Sequence, residues 1–255
     1  MVILINELEF FNLFMFGMVI AGVCIFIMLF FITAGYGQHI SEKWGRAINN
    51  RAGWAIMEVP AVIVYLILFI IGEYKTPMAF LFLVLWLIHY GYRSFIFPSL
   101  IRGKHNMPIT IILFGMTFNT ANGYLQARWI NTLSPGYDIS WIFTPMFIVG
   151  ILVFFSGFLI HVNSDHIIRT LRKPSETEFK VPYGGLFKYV SCPNYLGEII
   201  EWSGWAIMTW SIPGLVFVFW TFSNLAPRAR SNHKWYIERF SDYPKTRKAL
   251  IPFIY

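Results

Sequence analysis

An all-α, polytopic membrane fold is the class this sequence predicts, on three observations. Of the 255 residues, 56% are hydrophobic and only 13% charged, which leaves too little polar surface to cover a soluble globule, so apolar surface must face lipid. Seven apolar stretches approach the ~20 residues that cross a bilayer as a helix. Lys and Arg crowd into alternate connections between those stretches. The whole chain, 1–255, reads as a single integral membrane domain.

Taken in order, the expected spans are 10–33, 52–71, 77–97, 108–130, 141–161, 195–211 and 213–227. The first lacks a basic flank and exceeds the core of a signal peptide, so it is read as a retained span. The last two are separated by little more than Ser211, Ile212 and Pro213, which predicts a tight helical hairpin. The tail, 228–255, is basic and aromatic enough to lie along the membrane surface.

Charge sets the orientation. Lys43, Arg46 and Arg51, then Arg102 and Lys104, then the basic residues of 169–188, then seven from Arg228 to Lys248, fall on one set of connections. The other set carries only Lys75 and Arg128, and the N-terminus has Glu7 and Glu9. This asymmetry places the N-terminus outside and the C-terminus in the cytoplasm. The net charge of +7 is then a topology signal, and no zinc-finger, helix-turn-helix or RNA-binding pattern accompanies it. Two cysteines, Cys24 and Cys192, support neither a disulfide framework nor a Cys-based metal site.

An ionisable group in mid-span costs about 2.5–3.5 kcal/mol on insertion scales, so such residues mark a cavity or pathway. Here they are Glu58 before Pro60, then His89, Tyr90 and Arg93, then Glu198 and Glu201. On a helix Asn194, Glu198 and Glu201 share one face, and so do Tyr90 and Arg93. Both faces can line one cavity. The competing reading is interhelical hydrogen bonding without chemistry, and Glu201 suits it best. Trp202 and Trp205 are expected to pack rather than to touch a substrate.

A second polar group follows the fifth span: His161, Asn163, Asp165, Arg169, Arg172 and Lys173. It suits either a solvated, ion-paired face or, with Gly184-Gly185, Arg102, Lys104, Arg228 and Arg230, diphosphate binding. Gly35-Tyr36-Gly37 begins like a dinucleotide fingerprint, but residue 40 is Ile and no parallel sheet is expected, so a nucleotide site would be built from helices. Glu198 and Glu201 lie on one side of one helix, unlike the flanking carboxylates of glycosidases. No HExxH-type metal spacing occurs, and no metal is expected.

Several segments together resemble the steroid 5α-reductase family: Gly35-Tyr36-Gly37-Gln38-His39, Met57-Glu58-Val59-Pro60, His89-Tyr90-Gly91-Tyr92-Arg93, Asn122-Gly123-Tyr124-Leu125-Gln126, Asn163-Ser164-Asp165-His166, Leu171-Arg172-Lys173-Pro174, Gly184-Gly185-Leu186-Phe187, the run from Asn194 to Trp202, and the run from Asp242 to Phe253. The likeness covers nearly the whole chain and is greatest over about 105–255. Its C-terminal half is shared with sterol, trans-enoyl-CoA and polyprenol reductases; the middle segments resemble the steroid branch. The resemblance implies seven transmembrane helices enclosing a cofactor and substrate cavity, with NADPH in the cytoplasmic half and a steroid or sterol-like lipid entering from the membrane. It implies Glu58 and Tyr90 as the substrate-activating residues. For NADPH it implies Tyr36, Arg93, Asp165, Arg172, Asn194, Glu198, Arg228 and Tyr236. Three positions depart from the family pattern: Met57 where mammalian members have Gln, His161 where they commonly have Asn, and Asn232-His233 where they tend to have paired His.

The chemistry expected is NADPH-dependent reduction of the Δ4 bond of a 3-oxo-Δ4 steroid. Hydride addition to an enone puts negative charge on the carbonyl oxygen, so the site needs donors aimed at that oxygen rather than a nucleophile. Glu58, in its neutral form, and Tyr90 are such donors. Rival readings are reduction of another lipid enone or enoyl thioester, a lipid methyltransferase, and a non-catalytic sterol-binding or transport protein. The expected setting is a monomer in membrane lipid, in the endoplasmic reticulum of a eukaryote or the inner membrane of a bacterium, with no nucleic-acid partner.

Overall fold

The computed structural model describes residues 6–35, 37–102, 106–171 and 178–255, without the side chain of Glu42. Tyr36 and Arg172, both expected to hold cofactor, lie outside the described residues. The described chain is mostly helical: α1 (Glu7–Phe31), α2 (Asn50–Ile71), α3 (Pro77–Gly91), a π-helical turn (Tyr92–Ile96), α4 (Phe97–Leu100), α5 (Ile109–Arg128) with a π-helical turn after it (Trp129–Leu133), α6 (Pro145–Thr170), α7 (Pro193–Thr209) and α8 (Ile212–Arg239). Two three-residue strands, β1 (Ala47–Asn49) and β2 (Asn106–Pro108), pair antiparallel across the connections before α2 and α5.

Four stretches are long and apolar enough to cross a membrane: Glu7–Phe31, Asn50–Ile71, Pro77–Leu100 and Pro145–Thr170. In the first, second and fourth of these the apolar side chains lie largely outside the fold, whereas half of the third is buried. On α1, Leu13, Phe16, Ile20 and Ile27 are all exposed, as expected of a helix with lipid on most sides. Caps follow the sequence. Asn6 and Glu9 form a reciprocal capping box at the start of α1, and Thr76 and Thr144 cap α3 and α6 ahead of a Pro at the first helical position. The expected hairpin is present: Trp210 adopts the left-handed region at φ 45°, and Ser211 Oγ accepts from the Gly214 N–H at 3.1 Å to open α8.

The tail departs from expectation. Pro227 does not end the last helix, because α8 runs through it to Arg239. Residues 240–255 then fold back against the segment that precedes α7. The Ser191 and Cys192 N–H groups donate to the Lys248 and Ala249 carbonyls (2.8 and 3.2 Å), and Ser191 Oγ meets both the Tyr243 hydroxyl and His233 Nδ1 at 2.6 Å. Burial pushes the Tyr243 hydroxyl up, with the Ser191 bond and Arg247 opposing.

Packing is set by glycines and rings. A Cβ placed on Gly157 would lie 2.2 Å from the Glu201 N, and one on Gly197 would lie 2.5 Å from the His161 N. One heptad away, Gly204 faces the Phe154 N at 2.2 Å and Gly150 the Met208 N at 2.4 Å. The α6 and α7 backbones therefore touch along a small-residue seam, the geometry by which helices associate in lipid. Beside the seam Trp86, Trp202, Trp205, Phe82 and Phe217 form a buried aromatic core, with Trp86 Nε1 donating to the Ala61 carbonyl at 3.0 Å to pin α3 on α2. Trp202 and Trp205 thus pack, as their sequence positions suggest.

The seam yields a stability test. Gly157→Ala and Gly204→Ala should each lower the thermal unfolding midpoint, by an overpacking penalty of about 1–3 kcal/mol. Gly17→Ala, where nothing lies within 4 Å of the added methyl, should leave it unchanged or raise it slightly.

Candidate functional site

Pro60 cannot donate to the Ile56 carbonyl, and Glu58 sits in that loosened turn of α2. Its side chain is buried and faces α5, where Asn119 Nδ2 donates to Glu58 Oε2 (3.0 Å) and to the Met57 carbonyl (2.8 Å). The Tyr90 hydroxyl, from the last turn of α3, donates to Asn119 Oδ1 at 3.4 Å. Asn119 therefore bridges the two residues expected to activate a substrate. It is not among the residues the sequence singles out, although its spacing from Asn122 and Gln126, three and seven residues on, repeats one helix face.

Arg93 enters through the π-helical turn, a device common at functional sites, just before Pro98 breaks the local hydrogen-bond ladder. Its guanidinium lies over the rings of Trp54 (4.4 Å) and Phe97 (4.9 Å). It reaches a carboxylate on each of three helices: Glu58 on α2 (3.4 Å), Asp165 on α6 and Glu198 on α7 (both 3.8 Å). The cation–π partner Trp54 carried no signal in sequence beyond its place one turn before Glu58.

Deeper in the seam His161 is fully buried. Nε2 lies 3.2 Å from Asp165 and 3.3 Å from Glu198, and Nδ1 lies 3.6 Å from Glu201. Glu201 also meets His89 Nδ1 at 2.8 Å, and Asn194 Nδ2 donates to Asp165 Oδ1 at 3.2 Å. His161 and Asp165 of the second polar group thus join the first in one cluster, and Asp165 belongs to its interior rather than to a solvated face with Arg169; Lys173, like Arg172, lies outside the described residues. His89, His161 and Glu201 hold one ligand atom each within 4.8 Å of one another, a spacing a metal ion could use. In this structure they contact one another and the neighbouring carboxylates.

Two expected cofactor residues stand apart from the cluster. Arg228, on α8, donates to the Tyr195 hydroxyl (3.0 Å) and lies over its ring. It lines a small pocket of about 40 Å³ with Gln38, His39, Ser231 and Asn232. There the Asn232 amide oxygen accepts from Gln38 Nε2 (2.8 Å) and meets His39 Nε2 (2.9 Å). Burial holds the His39 imidazole below its ordinary value, and the Asn232 contact partly offsets that. Tyr236, two turns further along α8, stacks on Tyr243 at 5.3 Å.

With this geometry in hand, comparison with known proteins is specific. The family described as 3-oxo-5-alpha-steroid 4-dehydrogenase matches residues 105–255. Steroid 5-alpha-reductase DET2 of Arabidopsis thaliana is 42% identical over 98% of this chain and 99% of its own. The 3-oxo-5-alpha-steroid 4-dehydrogenase 1 proteins of Macaca fascicularis and Homo sapiens are 40% and 39% identical over 86% of this chain and 84% and 86% of theirs. The chain belongs to the steroid 5-alpha-reductase family, the 3-oxo-5-alpha-steroid 4-dehydrogenases.

Proposed function

We propose that this protein is a membrane-embedded, NADPH-dependent reductase of the Δ4 double bond of 3-oxo-Δ4 steroids, giving the 5α-3-oxo product. The observation that carries the reading is the Asn119 bridge between Glu58 and Tyr90, set against the Arg93 cation. The names of the relatives support steroid reduction.

The residues fit a nicotinamide nucleotide. Both ring nitrogens of His161 and Asp165 Oδ2 are buried and are met only by the ion-pair approaches given above, which lack good hydrogen-bond geometry, a condition that a polar ligand relieves. Tyr36, Arg93, Asp165, Arg172, Asn194, Glu198, Arg228 and Tyr236 would hold it. When bound, NADPH supplies the hydride that adds to C5.

The chain's own part is at the substrate's O3 and C4. Negative charge develops on O3, and donors already in place stabilise it most. Tyr90 needs only to exchange its 3.4 Å bond to Asn119 for one to O3. Both Glu58 oxygens accept hydrogen bonds in this arrangement, from Arg93 and Asn119. Donation from Glu58 therefore requires it to take up a proton and release one of those contacts. Asn119 keeps the two donors in register. C4 is then protonated by Tyr90, Glu58 or a water. We further read all seven long helices as spans around this site, with the C-terminus cytoplasmic, the N-terminus opposite, and the steroid arriving from lipid to a monomeric enzyme.

Kinetics, cofactor binding and topology each test a separate part of this assignment. Glu58→Leu and Tyr90→Phe should each lower single-turnover steroid reduction about 10²- to 10³-fold, as removal of oxyanion donors does, with NADPH affinity nearly unchanged; Glu58→Leu, which also takes a buried partner from Arg93, should lower the unfolding midpoint, and Tyr90→Phe should leave it nearly unchanged. Glu58→Gln, which keeps an N–H donor, should retain more activity than Glu58→Leu. Near wild-type rates in folded Leu and Phe variants would return these residues to helix packing. Arg172→Ala and Arg228→Ala should instead weaken NADPH binding, by about 1.5–3 kcal/mol for each charge-assisted hydrogen bond removed; unchanged affinity would exclude them from the cofactor site. Reporter fusions should find the two termini on opposite sides of the membrane, and termini on one side would exclude seven spans.

A further inference from the structure

On the outer side of the seam that holds the polar cluster, the C-terminal turns of α6 face the π-helical turn and α4 across a groove of about 350 Å³. Its α6 wall changes character along the helix. Leu159 and Val162 come first, then Asn163, His166 and Arg169, spaced so that all share one face. At 1.5 Å per residue this wall runs about 15 Å. Leu100 and Tyr92 form the opposite wall.

The polar end is prepared for an anion. Arg169 Nη2 lies 2.9 Å from His166 Nδ1. A guanidinium has no acceptor, so Nδ1 accepts and Nε2 carries the ring proton as a further donor. The Tyr92 side chain is only 8% exposed; its hydroxyl lies against the Arg169 side chain, which can only donate to it, so its own proton has no acceptor among the described residues, and it lines the groove beside Arg169. The one carboxylate on this stretch of α6, Asp165, is engaged by Arg93, His161 and Asn194 and leaves the groove's end basic.

We propose that this groove binds one anionic glycerophospholipid, its phosphate on Arg169, His166 and the Tyr92 hydroxyl and an acyl chain along Leu159, Val162 and Leu100. An apolar floor continuous with the lipid-facing side of α6, where Leu152 and Leu159 are exposed, admits a chain that inorganic phosphate lacks. Arg169 also lies at the end of α6 that the basic connections mark as cytoplasmic, the leaflet richest in anionic lipid, where basic pockets between spans hold such headgroups. The inference rests on the membrane-spanning orientation proposed above and is independent of the reductase assignment.

The test is native mass spectrometry of the full chain released from nanodiscs containing phosphatidylglycerol or phosphatidylcholine at equal mole fraction. One phosphatidylglycerol should be retained per chain in preference to phosphatidylcholine. Arg169→Gln should lower that retention about fivefold, the worth of one basic residue near a membrane surface. Leu159→Trp, which fills the groove from an exposed position and leaves the charges intact, should also lower it, so the result does not depend on either variant alone. Tyr92→Phe should give a smaller decrease. Equal retention of the two lipids, undiminished phosphatidylglycerol in folded Arg169→Gln and Leu159→Trp, or displacement of the lipid by millimolar inorganic phosphate would each overturn the proposal. NADPH binding, followed in the same samples, distinguishes this outcome from failure of the cofactor assignment.

Discussion

Where Gly157 faces Glu201 and Gly197 faces His161, the backbones of α6 and α7 meet without room for a methyl group. In lipid there is no hydrophobic drive between helices, so close backbone packing and interhelical polar contacts hold a pair together. Both are present at the same level of this seam. The close approach brings His161 within 3.6 Å of Glu198 and Glu201 and lets Asn194 reach Asp165. Separating the helices by the width of one side chain would break these contacts together and leave buried charges without partners, the most destabilising outcome for such groups.

Charge is the second constraint. Among the described residues, Glu58, Asp165, Glu198 and Glu201 converge with a single permanent cation, Arg93, and two imidazoles. A close opposite-charge pair gains about 4 kcal/mol at an effective dielectric of about 20, comparable to the insertion cost of one ionised group. No pair in the cluster is therefore self-sufficient, and Arg93 serves three carboxylates from three helices. Even with both imidazoles charged, the four carboxylates outnumber the cations of the cluster by one. Substitutions within the cluster should consequently be non-additive.

Much of this was legible in sequence because lipid imposes simple rules. Apolar length placed the helices, Ser211 and Pro213 placed the hairpin, and polar residues at depth named Glu58, Tyr90, His89, Arg93, Glu198 and Glu201. Helical spacing gives the face of one helix but not which faces meet, so His161 and Asp165 read as a separate group until the glycine seam joined them to Glu198. Asn119 escaped because neutral amides, even the three on one face of α5 with Asn122 and Gln126, are a weaker signal at membrane depth than ionisable groups. The end of α8 was misplaced for a physical reason. A proline ordinarily stops a helix, but here tertiary contacts carry the helix past Pro227, with Asn232 bound to Gln38 and His39 and Tyr236 stacked on Tyr243.

Product analysis tests the central claim most directly. Purified protein would be incubated with NADPH carrying deuterium at the transferable position and with a panel of 3-oxo-Δ4 steroids and enoyl thioesters, and the products identified by mass spectrometry. Steroid Δ4 reduction at this site predicts 5α-3-oxo steroids with one deuterium at C5 and no comparable turnover of the thioesters. Reduction of enoyl thioesters alone, or steroid binding without consumption of NADPH, would contradict it.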